Sequence, residues 1–238
     1  MRKTLVGIVS LILTVGLLAG CSGPGAPDGG APTPPYGKEY VKEHLDPDYS
    51  IEYLLEQKYP ARDGKEEYSV SILVSYTHTS YGGHYFSASR TVWSKDNKVV
   101  DDSFEDYLFI KNGDADMYDT YDGNFFDGFT LKARAAVDQK YVDEIIAPAI
   151  DTMTSYVGPM SEDPPGVLQG CEIFDDLLHF LSCDKYTKTF GDGTHGKWVI
   201  DKKTGVLRSY TYYGLERIDE SAYMTKFNIG NVTLPKHD

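Results

Sequence analysis

The stretch Tyr68-Ser69-Val70-Ser71-Ile72-Leu73-Val74-Ser75-Tyr76 decides the fold class. In an extended chain successive side chains point to opposite faces, so Tyr68, Val70, Ile72, Val74 and Tyr76 share one face and three serines lie opposite. That is the pattern of a strand with one side on a core and the other in water. Outward from it, residues 84–93 (HYFSASRTVW) read as a second strand, reached through the hairpin-type turn Ser80-Tyr81-Gly82-Gly83. Residues 107–111 read as a third, ended by Asn112-Gly113, a pair that tolerates the positive φ of a tight turn. Towards the C-terminus, residues 197–201 (KWVID), 206–213 (VLRSYTYY) and 223–229 (YMTKFNI) predict a meander whose first turn is Lys202-Lys203-Thr204-Gly205. Helical signals are fewer. Tyr40, Val41, His44 and Leu45 predict a short helix, and residues 138–147 a second, with Asp138 as N-cap and Tyr141, Ile145 and Ile146 on its apolar face. Pro148 is expected to break or restart it. The implied class is α+β, mainly β: an antiparallel sheet with a few helices against one face.

At the N-terminus Arg2 and Lys3 precede an apolar run over residues 5–18. About 14 residues is short of the ~20 that span a bilayer but suits the apolar core of a secretory signal. The run ends in Leu18-Ala19-Gly20-Cys21, which resembles the lipobox cut by the lipoprotein signal peptidase. The resemblance implies that residues 1–20 are a cleaved signal peptide. It also implies that the Cys21 thiol carries a diacylglyceryl lipid, palmitate-like in its chains, as the first residue of the mature protein. Two acyl chains anchor stably because each buried methylene contributes about 0.8 kcal/mol, whereas one chain holds only marginally. The expected location is the cell envelope, on the extracytoplasmic face of a bacterial membrane.

Residues 21–37 then read as the lipidated cysteine and a flexible tether, since SGPGAPDGGAPTPPYG cannot bury enough apolar surface to fold. Residues 38–238 are expected to form a single domain. Without Arg2 and Lys3 the chain has 21 basic and 36 acidic side chains, a net charge near −15. A surface of that sign repels phosphate backbones, so nucleic acid is excluded as a partner. With Cys21 lipidated, Cys171 and Cys183 remain as an even pair in an oxidising compartment. A bridge closing that short loop contributes about 3 kcal/mol, and two buried thiols are the alternative. Ile173, Phe174, Leu177, Leu178 and Leu181 fit one helix face, but a helix over that span separates the two cysteines by about 18 Å, against a limit of roughly 7 Å for a disulfide. The disulfide reading therefore predicts a strand from Cys171 and a return to Cys183.

Motifs that suggest catalysis do not hold together. Gly191-Asp192-Gly193-Thr194-His195-Gly196-Lys197 has P-loop spacing, yet Trp198 stands where Ser or Thr holds magnesium, and a strand follows instead of a helix. Asp114, Asp116, Asp119, Asp122 and Asp127 form an acidic stretch, read as a solvated loop with calcium as the alternative; Tyr118 interrupts the EF-hand ligand pattern. His78 and His84 flank the hairpin turn and read as exposed turn histidines, a two-histidine metal site being the alternative. No G-x-S-x-G elbow occurs. The chain is therefore expected not to be an enzyme, to need no cofactor and to hold no metal.

The C-terminal third carries a family resemblance. Gly170-Cys171-Glu172-Ile173-Phe174, Trp198-Val199-Ile200-Asp201 with Thr204-Gly205, Tyr223-x-Thr225-x-Phe227 and Asn231-Val232-Thr233-Leu234-Pro235 resemble the closing strands of the LolA/LppX-like lipoprotein carriers. The resemblance implies a curved antiparallel sheet or incomplete β-barrel with a few lid helices over an apolar cavity for acyl chains, and no catalytic residues. The 19 Tyr and 10 Phe, including Tyr76, Tyr85, Phe86, Tyr107 and Phe109, suit a roomy aromatic wall and are also common strand residues. On that reading Val70, Ile72, Val74, Phe86, Val92 and Phe109 line the cavity, Val199, Leu207 and Phe227 extend it, and Tyr141, Ile145 and Ile146 close the lid. The expected function is binding or carriage of a lipid-like or apolar ligand, with the membrane and an envelope protein as partners. The alternative is a cell-surface interaction or sensory module that binds a protein or glycan without an internal cavity.

Overall fold

The computed structural model describes residues 36, 38–61, 64, 66–113, 116–132, 136–154, 173–176, 179–189, 193–213 and 218–238. In chain order the elements are α1 (Lys38–His44), β1 (Tyr49–Tyr59), β2 (Tyr68–Thr79), β3 (Gly83–Ser94), β4 (Val99–Lys111), β5 (Met117–Asn124) and β6 (Gly128–Leu131). There follow β7 (Val137–Asp138), α2 (Gln139–Thr154), β8 (Ile173–Asp176), β9 (His179–Thr189), β10 (His195–Asp201), β11 (Leu207–Tyr213) and β12 (Ile218–Ile229). The fold is mainly β, open and antiparallel, as the alternation in β2 predicts. The chain divides into two compact units, each discontinuous in sequence. The first holds the chain up to His44 together with Ile150–Ile218, the second Leu45–Ala149 together with Asp219–Asp238.

In the second unit the strand order is β6-β5-β4-β3-β2-β1-β12, with β7 paired to β5. β2 and β3 pair over their whole length, from Tyr68 opposite Ser94 to Thr79 opposite Gly83. Their turn closes through Gly82 N–H donating to Thr79 O at 2.9 Å. Gly82 has φ +84°, and a Cβ there would lie 2.7 Å from the Lys111 side chain, so both backbone and neighbour require glycine. On one sheet face Tyr85, Leu108 and Phe129 form a small buried cluster with Leu234 against it. The C-terminal segment is held there by Phe129 N–H donating to Lys236 O and Asp238 N–H to Phe129 O. That pairing covers β6, the last strand on this side.

In the first unit β9 and β11 flank β10, and β8 pairs with β9. The chain returns between residues 173 and 189 as two antiparallel strands, Ile173 opposite Ser182 and Asp176 opposite His179, not as a helix. Cys183 is buried in β9, while Cys171 lies outside the described residues. The β10–β11 turn is built around buried Asp201: its Oδ1 accepts from Thr204 N–H and Oγ1–H, both at 2.8 Å, and its Oδ2 accepts from Arg208 at 3.3 Å. Gly205, at φ +73°, follows with Tyr40 of α1 packed where its Cβ would stand. Tyr36 reaches the same unit, donating its hydroxyl to Asp184 at 2.7 Å.

One helix expectation is corrected. Pro148 does not break α2, which runs on to Thr154. Val142, Ile145, Ile146, Ala149 and Met153 form one continuous buried stripe on either side of it. Packing along that stripe outweighs the roughly 3 kcal/mol that an interior proline costs.

Candidate ligand-binding wall

Paired residues in a sheet share a face, so the register of the second unit sorts its side chains without ambiguity. One face carries the rows Tyr49–His78–His84–Phe109, Ile51–Tyr76–Phe86–Tyr107, Tyr53–Val74–Ala88–Glu105 and Leu55–Ile72–Arg90–Ser103. Gln57, Val70, Val92 and Asp101 make the next row. Phe227 joins from β12, directly opposite Ile51. The N-terminal part of α2 lies against this face: the Tyr141 ring meets Phe109 edge-on at 6.3 Å, and Tyr118 donates its hydroxyl to Gln139. The helix is set in place by β7 pairing with β5 and by Asp138, whose Oδ1 caps the Tyr141 N–H at 2.9 Å.

The structure thus brings Val70, Ile72, Val74, Phe86, Val92, Phe109 and Phe227 onto one face, the first six between 1 and 7 % exposed and Phe227 half-buried. Ile145 and Ile146 are buried on α2, whereas Tyr141 is 39 % exposed. Val199 and Leu207 are fully buried in the first unit, where Val199 pairs with Ser209 and Ile200 with Leu207, so the two lie on opposite faces of their hairpin. Cys21 and Asp114 lie outside the described residues. Sequence reasoning missed β1, although Tyr49-x-Ile51-x-Tyr53-x-Leu55 alternates as cleanly as β2 and all four are buried. It also chose Tyr141 over Val142, the residue of α2's first turns with no exposed surface.

The two ends of this face are polar in different ways. At one end His84 is 5 % exposed, a correction to its reading as an exposed turn residue. Tyr76, His78 and Tyr118 crowd its ring, and the Tyr76 hydroxyl and His84 Nδ1 share a hydrogen bond of 2.8 Å. Burial first, and His78 second, push the His84 pKa down to about 4, so the imidazole is neutral at pH 7. Burial likewise drives the Tyr76 hydroxyl well above its ordinary value. At the other end Arg90 pairs with Asp101 at 2.7 Å, and burial raises the Glu105 carboxyl against the opposing effect of its bond to Tyr107. The apolar side chains lie mainly on β1–β3, with Tyr107 and Glu105 as polar groups on β4, and the contact that this apolar part offers is removal of area from water.

Among the described residues, the acidic side chains of this stretch do not converge. Asp116 faces Lys111 at 3.7 Å, Asp119 accepts from Asn112 at 3.0 Å, Asp122 pairs with Lys132 at 3.0 Å and Asp127 accepts from Asn124 at 2.8 Å. The stretch is also not a loop throughout, since Asp119 and Asp122 sit on β5.

No family model matches the chain, and no curated protein matches it. Among solved structures, a β-barrel-like protein of a domain of unknown function from Brucella abortus is 12 % identical, with 79 % of this chain and 99 % of that one covered and a TM-score of 0.34. A putative exported protein with YmcC-like fold from Bacteroides fragilis is 9 % identical, with coverages of 77 % and 97 % and a TM-score of 0.26. A putative outer membrane lipoprotein-sorting protein domain from Vibrio parahaemolyticus is 8 % identical, with coverages of 83 % and 94 % and a TM-score of 0.22. At these identities and TM-scores the likenesses fix neither a family nor a function for this chain.

Proposed function

We propose that the protein is a non-enzymatic, lipid-anchored lipoprotein of the bacterial cell envelope that binds or carries a lipid-like or apolar ligand. The supporting observation is the shared face of β1–β4 and β12, where the apolar side chains of β1–β3 lie together with Phe109 and Phe227, and Tyr141 of α2 meets Phe109 at one end. Such a face favours an apolar body, each buried methylene contributing about 0.8 kcal/mol. The wall side chains have almost no free surface in this arrangement, so uptake requires the covered face to open. The lipobox supplies the anchor at Cys21, and the Gly/Pro-rich stretch between Cys21 and Tyr36 the reach from the membrane.

Uptake of a neutral apolar probe, 1-N-phenylnaphthylamine, read as its fluorescence gain, tests this directly. Ile145→Glu or Ile72→Glu should cut uptake at least tenfold while the circular dichroism spectrum stays native, and Asp116→Ala should leave it unchanged. Native uptake by a folded Ile145→Glu, together with loss in Asp116→Ala, contradicts the proposal.

A further inference from the structure

The opposite face of the same sheet is apolar and covered at one end, where Tyr85, Leu108 and Phe129 cluster, and carries Trp93 towards the other. Its middle is mostly short and polar, and one exposed row there breaks that rule. Tyr223 of β12 pairs with Leu54 of β1, Leu54 with Leu73 of β2, Leu73 with Ser89 of β3, and Ser89 with Phe104 of β4. Leu73 stands where a further serine would complete the alternation of β2. Tyr223 and Leu73 are each 38 % exposed and Phe104 is 58 % exposed, with Leu54 half-buried between them. Single exposed apolar residues are ordinary, but these share one register row across five strands, a line about 19 Å long at strand spacing. Ser89 leaves a notch in that line between Leu73 and Phe104.

The β5–β6 turn prolongs the row. Phe125 N–H donates to Asp106 at 3.1 Å, and Asp106 is the next residue along β4 on the same face as Phe104. Asn124 Oδ1 accepts from both Phe126 and Asp127 N–H at 2.9 Å, which fixes the turn with Phe125 at 58 % and Phe126 at 92 % exposure. The Phe125 ring rests against buried Tyr85 at 6.0 Å and against Phe126 at 5.8 Å, so the turn is fixed while both rings keep exposed surface.

The rows on either side name the occupant. One holds Ser221, Glu56, Ser71, Thr91 and Asp102, with Glu56 and Asp102 exposed. The other holds Lys226, Glu52, Ser75, Ser87 and Asp106, and its Lys226 is already paired with Glu52 at 2.9 Å. The apolar line is therefore edged by net negative charge. An anionic bilayer surface and a second copy of this acidic chain both meet repulsion there. A helix carries a narrow apolar stripe of this shape, and about 13 residues at 1.5 Å each match its length.

We infer that the row Tyr223–Leu54–Leu73–Ser89–Phe104, with the Phe125–Phe126 turn, docks an amphipathic helix of a protein partner whose apolar stripe is edged by Lys or Arg. The inference does not depend on the ligand wall, which lies on the other face of the sheet. A helix side chain enters the Ser89 notch, and its cations meet exposed Glu56 and Asp102.

The test uses the full chain and two fluorescein-labelled synthetic helical peptides with the same leucine stripe, one with Lys on its polar edges and one with Glu. Fluorescence anisotropy should show binding of the Lys peptide only, weakening as salt rises. A Leu73→Ser/Phe104→Ser double variant should lose at least tenfold in affinity. Ser89→Lys, which removes no apolar area, should do the same by filling the notch and adding like charge. Val99→Ser/Val100→Ser removes exposed apolar surface away from the row and should change nothing. Equal binding of both peptides, or an equal loss in the Val99/Val100 variant, overturns the inference. So does binding to phosphatidylcholine vesicles, or self-association on sedimentation, that disappears with Leu73→Ser/Phe104→Ser.

Discussion

His84 shows how one side chain ties the fold to solution conditions. Its ring is enclosed by Tyr76, His78 and Tyr118 and stays neutral down to about pH 4 in the folded state, whereas an unfolded histidine protonates near pH 6.5. Between those values the unfolded chain binds more protons, so stability is full above about pH 6.5 and falls as the pH drops towards 4. The contribution is on the order of 3 kcal/mol over that window. Urea midpoints measured at pH 7 and pH 5 should fall for the native chain, and His84→Gln should remove a large part of the difference. An unchanged pH slope in His84→Gln would show that other groups carry it. At this scale much of the wall was legible: alternation alone put Val70, Ile72 and Val74 on the buried side. The burial of His84 was not, because it comes from Tyr118 and from Tyr49 beside His78, brought in by strands the sequence did not announce. Leu73 likewise reads as a lone exception until Leu54, Phe104 and Tyr223 are brought into register with it.

At the scale of elements, β2, β3 and the closing hairpin followed from their patterns, and β1, β5 and β6 did not. β1 carries Glu52, Glu56 and Lys58 on its outer side, and β5 is acidic enough to resemble a solvated loop. In both, the charges alternate with residues that face the sheet or its neighbours, and only pairing separates the two sets. α2 was legible at its start and illegible at its end. Asp138 caps it as the sequence predicts, while Pro148 gives a local stop signal that burial of Ala149 and Met153 overrides. The cap is worth measuring. Asp138→Ala removes the one bond to the Tyr141 N–H and should lower unfolding stability by about 1 kcal/mol, with faster hydrogen exchange at Tyr141. No change in either would mean that β7 pairing alone holds the start of α2.

At the scale of the whole molecule, the division into two units left no mark in composition. The chain passes between them at His44/Leu45, inside α2 and near the start of β12, and none of these points is a Gly- or Pro-rich linker. What was legible is the start of the folded region near α1, with Tyr36 just before it already donating its hydroxyl to Asp184. The ligand reading rests on one face of one sheet, and it is tested most directly by native mass spectrometry of the full chain purified from bacterial membranes in a mild detergent. The expected result is a processed protein beginning at a diacylated Cys21 that retains one further, non-covalent lipid-like molecule, and Ile72→Glu should lose that molecule while keeping the covalent anchor. A diacylated, folded protein that never carries a non-covalent apolar ligand, in either the native or the Ile72→Glu chain, would contradict the carrier function.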